Sequence, residues 1–131
     1  MARHVSASGR RDDDAALPHL LRARELAELA GDKLTLSCVV RHLGFLDVNA
    51  GRLREAREQL EASVRLRREI GFAAGAAVDM VALAELALDE GEPNRARTVL
   101  DEAERLAIDS GADGVLRLIA EVREQHGASL R

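Results

Sequence analysis

Cys38 and His42 stand four residues apart in LSCVVRHLG, the spacing that brings two side chains to one face of a helix. A thiol beside an imidazole is half of a nucleophilic constellation, because the imidazole can take the thiol proton. The other half is a third group that orients the imidazole, with a pocket around them, and no pattern in the sequence supplies it. The remaining histidines, His4, His19 and His126, form no set with metal-ligand spacing. GFAAG (71–75) has neither the Lys nor the spacing of a phosphate-binding loop. The expectation is therefore a chain that is not an enzyme, with no catalytic residue, metal or cofactor. Cys38 is the single cysteine, so no internal disulfide forms, and among apolar neighbours it reads as a small core residue.

Charge excludes further classes. The chain of 131 residues carries a net charge of −4, with 19 Lys and Arg of which only Lys33 is Lys. The densest basic run, RLRREIG, holds Arg65, Arg67 and Arg68 and is interleaved with Glu55, Glu58, Glu61 and Glu69. Arg54–Glu58, Arg57–Glu61 and Arg65–Glu69 fall at i, i+4, which reads as a solvated face of ion pairs worth a few tenths of a kcal/mol each. With no Trp, no Tyr and two Phe there is little to stack on bases, so no direct contact with nucleic acid is expected. No apolar run reaches the roughly 18 residues a membrane helix needs. The opening MARHVSASGRRDDD has no apolar signal core. No membrane partner and a cytoplasmic location are expected.

What would position any site is a set of helices. Ala, Leu, Arg and Glu dominate, all strong helix formers, and Pro occurs only at 18 and 93. The sequence also repeats itself at an offset of forty. NAGRLREAREQL (49–60) returns as DEGEPNRARTVL (89–100). Gly31, Gly71 and Gly111 superpose, as do Ala16, Ala56 and Ala96, and Leu20, Leu60 and Leu100. Leu43 meets Leu83, and Leu46 meets Leu86. A fixed period of this length is the signature of a stacked array. Within each period lie two apolar stripes at i, i+3, i+4, i+7 spacing: Leu36, Val39, Val40, Leu43 and Leu46, then Leu53, Ala56, Leu60, Ser63 and Val64. Gly51, Gly71, Gly91 and Gly111 close the helices, and Pro93 opens one. Gly44, aligned with Ala84, and Ala56 with Ala96, let neighbouring helices approach closely.

Leu43-Gly44, Gly51, Leu53, Ala56 and Leu60, and again Leu83-Ala84, Gly91, Pro93, Ala96, Leu100 and Ala103, resemble the tetratricopeptide repeat. Val40 and Asp47, then Met80 and Ala87, stand where that family has its aromatics. The period of forty is similar to the long variety found in bacterial regulators. The resemblance implies an all-α, right-handed α-solenoid of antiparallel hairpins, about six helices in all, whose first helices line a partner groove. Carried over position by position, that groove would present Arg41, His42, Phe45, Val48 and Asn49 from one helix. Val78, Val81, Glu85, Leu88 and Asp89 would come from the next, and Glu121 from the last. Arg41 and Asn49 would hold a carboxylate or peptide backbone, and Phe45 with Val48, Val81 and Leu88 would take apolar side chains. The implied function is a protein- or peptide-binding scaffold or regulatory module. The alternative is a module that senses a ligand or signal peptide for a bacterial transcriptional regulator.

The ends complete the outline. Residues 1–11 read as a flexible tail, 12–127 as one domain, and 128–131 as a second tail. Within the domain, 12–31 is a second helix with no first helix before it, 33–71 and 73–111 are full repeats, and 113–127 is a cap. Asp12, Asp13 and Asp14 would start the first helix, where negative charge is favoured. Leu116, Ile119 and Ala120 keep the stripe of the cap, and Arg123 breaks it as a polar outer face requires. The incomplete first repeat leaves a face that a second copy of the chain could cover, a route to a homodimer.

Overall fold

The computed structural model describes residues 7–130, with side chains from residue 12 onward. Six helices follow one another: α1 (Ala7–Ala30), α2 (Lys33–Asn49), α3 (Leu53–Glu69), α4 (Ala73–Asp89), α5 (Pro93–Ser110) and α6 (Asp113–Gln125). The described residues contain no strand. Each helix packs on the next, and α4 also touches α6. The result is an all-α row of helical hairpins. No helix among the described residues is long and apolar enough to cross a membrane.

All five turns are built alike. After α2, the Gly51 N–H donates to the Val48 carbonyl at 3.0 Å and the Arg52 N–H to the Asp47 carbonyl at 2.8 Å. This double closure needs a left-handed residue at its corner, and Gly51 supplies it with φ 79°. The other turns repeat the pattern through Gly31, Gly71, Gly91 and Gly111, twenty residues apart. Asp32 then caps α2: its carboxylate accepts from the Thr35 N–H at 3.0 Å and the Thr35 hydroxyl at 2.6 Å. The hydroxyl bond first, then the backbone bond, hold that carboxyl below its ordinary range. Successive helices run in opposite directions, so the first, third and fifth turns share one edge. Exposed Leu34, Ile70, Phe72 and Ile108 flank them.

Small residues set the helix crossings. A Cβ added at Gly44 would lie 3.1 Å from Leu60 Cγ, and Leu60 has no exposure. Ala56, Ala96 and Ala103 are likewise fully buried. We predict that Ala56→Leu and Ala96→Leu each overpack a crossing and cost about 1–3 kcal/mol. Chemical denaturation of either variant checks this, and an unchanged midpoint would mean that the crossings have slack.

The ends differ from the sequence reading. Helix α1 begins at Ala7, so 7–11 are helical rather than a tail, and residues 1–6 lie outside the described residues. Asp12, Asp13 and Asp14 therefore sit inside α1, not at its start, and no acid occupies its first turn. Pro18 lies within the same helix, where the missing N–H leaves one carbonyl of the preceding turn without its helical donor. The C-terminal segment is folded rather than loose. The Leu130 N–H bonds the His126 carbonyl at 3.0 Å, and the Leu130 side chain packs on the core. Only Arg131 lies outside the described residues there. Arg123 is not a bare surface group: it bonds Glu104 on α5 at 2.6 Å and Asp101 at 2.8 Å. The Glu104 bond is the larger reason that its guanidinium stays above its ordinary value. Ala120, placed on the core stripe by spacing, is exposed.

Candidate functional site

Helix α4 reads AAGAAVDMVALAELALD, a largely apolar helix whose first carboxylate, Asp79, falls on the face that packs inward. That carboxylate has no solvent exposure. Burying an unpaired charge is prohibitive, so partners must converge on it. Arg41 on α2 donates from Nε to Asp79 Oδ1 at 2.8 Å. Arg67 on α3, itself buried, brings Nη1 within 3.3 Å of Oδ2. The Ser63 hydroxyl lies 2.5 Å from Oδ2 and 3.0 Å from the Ser37 carbonyl. Its single proton can serve one of these acceptors at a time. Arg67 makes further bonds: Nε meets the Ser37 hydroxyl at 3.2 Å, Nη1 the Gly75 carbonyl at 3.2 Å, and Nη2 the Cys38 sulfur at 3.6 Å. The Ser37 hydroxyl in turn donates to the Leu34 carbonyl at 2.7 Å. Three helices thus share one polar cluster.

The repeat shows how unusual this cluster is. Forty residues on, Ser37, Ser63, Arg67 and Asp79 become Ala77, Ala103, Ala107 and Ile119. Those four are buried and belong to the apolar core of α4, α5 and α6. Gly75 becomes Val115, and Phe72 becomes Ala112. At the middle junction the Phe72 ring stacks on Arg67, with the guanidinium carbon 5.2 Å from its centroid. The same ring occupies the space a Cβ at Gly75 would need, 2.4 Å from the nearest ring carbon. One joint of the array is therefore ionic and its neighbour is hydrocarbon.

The cluster reaches the surface through Arg41. Its side chain is 29% exposed, and the guanidinium carbon lies 4.7 Å from the Phe45 centroid. Phe45 is half-buried one turn along α2. Asp79 holds Arg41, and the Arg41 guanidinium lies against the Phe45 ring on the α2 surface. His42 is exposed beside it, and Val48 and Val78 are half-buried.

Other residues expected to line the groove are placed differently. Val81 is 1% exposed and belongs to the core, so it offers no apolar contact to a partner. Arg41 is engaged by Asp79 rather than presented to a ligand carboxylate. Asn49 turns to α1, where its side-chain amide donates to Asp13 at 3.2 Å. Glu85 and Leu88 are half-buried, while Asp89 and Glu121 are exposed. The sulfur of Cys38 meets Arg67. Ser63 and Asp79 have no exposure, so no substrate reaches them in this conformation.

Sequence reasoning missed Arg67 and Asp79. It placed Arg67 on a solvated ion-pair face, and the structure corrects this: Arg67 is buried with Asp79. On that helix, Arg54 does pair with Glu58 at 3.9 Å, but Arg57 reaches Glu90 and Glu69 reaches Lys33. The missed signal was in the register. Asp79 superposes on Val39 and Ile119, and Arg67 on Ala27 and Ala107, all buried apolar positions.

No known protein family, curated protein or solved structure matches the chain. The tetratricopeptide resemblance rests on residue spacing.

Proposed function

We propose that the chain is a tetratricopeptide-like, non-enzymatic module that binds a protein or peptide across the faces of α2 and α4. The observation that carries this reading is the Phe45 ring packed against Arg41, which is itself bonded to the buried Asp79. A ring that already packs against a neighbouring side chain loses less conformational freedom on contact, which is what an aromatic anchor needs. Because Asp79 already takes Arg41, the groove recognises apolar side chains beside Phe45, Val48 and Val78 rather than a terminal carboxylate.

Selection of a random dodecapeptide library on the full chain tests this. Binders are expected whose affinity falls about tenfold or more on Phe45→Ala, as for an interface anchor. The half-buried site predicts only a small drop in melting temperature. A library that yields no Phe45-sensitive binder, or a variant that loses its fold, would overturn the reading.

A further inference from the structure

Three valleys recur between helices at matching positions of the repeat. The first is lined by Leu17 and Leu21 of α1, Leu43 and Leu46 of α2, and Gln59 of α3. The second has Arg57, Glu61, Leu83 and Val99 at the corresponding places, with Glu90 where the first has Ala50. The third has Arg97, Arg123 and Leu130. Both the first and the second enclose about 250 Å³. Their chemistry differs. The second is spanned by an ion pair, Arg57 Nη1 to Glu90 Oε1 at 3.5 Å. The third is walled on one side by Leu130, whose carbonyl accepts from Arg97 Nε at 2.9 Å and whose side chain packs on the core. The first has leucines in place of Arg57 and Glu61, and both are exposed, at 37% and 40%.

We propose that the valley between α1 and α3 is a docking site for a partner peptide that carries an aliphatic side chain beside a basic residue. The exposed Leu17 and Leu21 call for an aliphatic side chain on the occupant. Charge sets the second requirement. Asp13, Asp14, Asp47, Arg24 and Arg52 surround the mouth. Asp47 is matched by Arg52 at 2.9 Å, and Arg24 faces Glu28 at 3.7 Å. Among the described residues the mouth therefore keeps the charge of Asp13 and Asp14, which favours a cation on the incoming segment. Asn49 holds Asp13 in place at 3.2 Å. This site does not involve Phe45, so it stands or falls apart from the groove.

The repeat supplies its own control. Leu17→Arg with Ala50→Glu installs the ion pair of the second valley at the equivalent positions of the first. The same dodecapeptide library is selected on the full chain and counter-selected on this double variant. The expected binders combine Leu, Ile or Met with Lys or Arg, bind the double variant about tenfold or more weakly, and ignore Phe45→Ala. Asp13→Asn with Asp14→Asn removes the preference for basic residues and keeps the aliphatic one. Melting of each variant verifies that it is folded; if the double variant is not, Leu21→Glu alone carries the comparison. Binders that do not distinguish the variants, or no binders, overturn the proposal. So does a dimer of the full chain that the double variant dissociates, because the occupant would then be a second copy.

Discussion

Asp79→Ala should destabilise the chain by about 3–5 kcal/mol, because it leaves Arg67 buried without its counter-charge. Arg41 adds less to the loss, since it is 29% exposed and can turn to water. The informative contrast is with complete replacement. Ser37→Ala, Ser63→Ala, Arg67→Ala, Phe72→Ala, Gly75→Val and Asp79→Ile together write the residues of the α4–α5–α6 joint into the α2–α3–α4 joint. Their register counterparts already pack in this chain, as Ala77, Ala103 and Ile119 show with 0–1% exposure. The combined variant should be neutral or more stable by about 1–4 kcal/mol, as when a buried ionic cluster is exchanged for well-packed hydrocarbon. Urea denaturation of both variants measures the difference. If Asp79→Ala were mild, water would be reaching Arg67 in solution.

Leu100→Ala should cost about 2–5 kcal/mol, towards the upper part of that range. Leu100 is 1% exposed, and its core cluster contains Ala84, Ala96, Ala103 and Ala107. Alanine has no rotamer with which to fill a vacated space, so the cavity persists unless helices move. Leu106→Ala, at a half-exposed position of the same helix, should cost clearly less. Equal losses would mean that α5 repacks as a body. The same denaturation curves report both.

The all-helical class and the six helices were legible because period and turn chemistry agree. Gly51 and Gly91 stand at the turn corners, and Pro93 opens α5, where its missing N–H is harmless. The start of α1 was not legible. ASGRRDDD has no apolar periodicity, and nothing local marks where the helix begins. The candidate site was legible only in part. The resemblance pointed to Phe45 and Arg41, but residue type argued surface for Arg67 and Asp79 while position argued core. Each looks misplaced alone; they make sense only as a pair from neighbouring helices. Asn49 was placed in the groove by the resemblance, which gives a position and not a partner, and α1 offers it Asp13. Leu17 and Leu21 were passed over because they lie outside the repeated stripe.

A row of equal units has no natural address: slid along by one unit, it finds similar shapes waiting. The ionic joint removes that ambiguity. A second chain that offered its α6 where α4 belongs would set Ile119 against Arg67 and Ser63, with no carboxylate within reach. The opposite slip would leave Asp79 facing Ala107 and Ala103. Either offset strands a charge in hydrocarbon, so only one alignment of the row is electrically neutral enough to close. In a crowded solution of half-folded copies, that single joint works as a key cut for one lock.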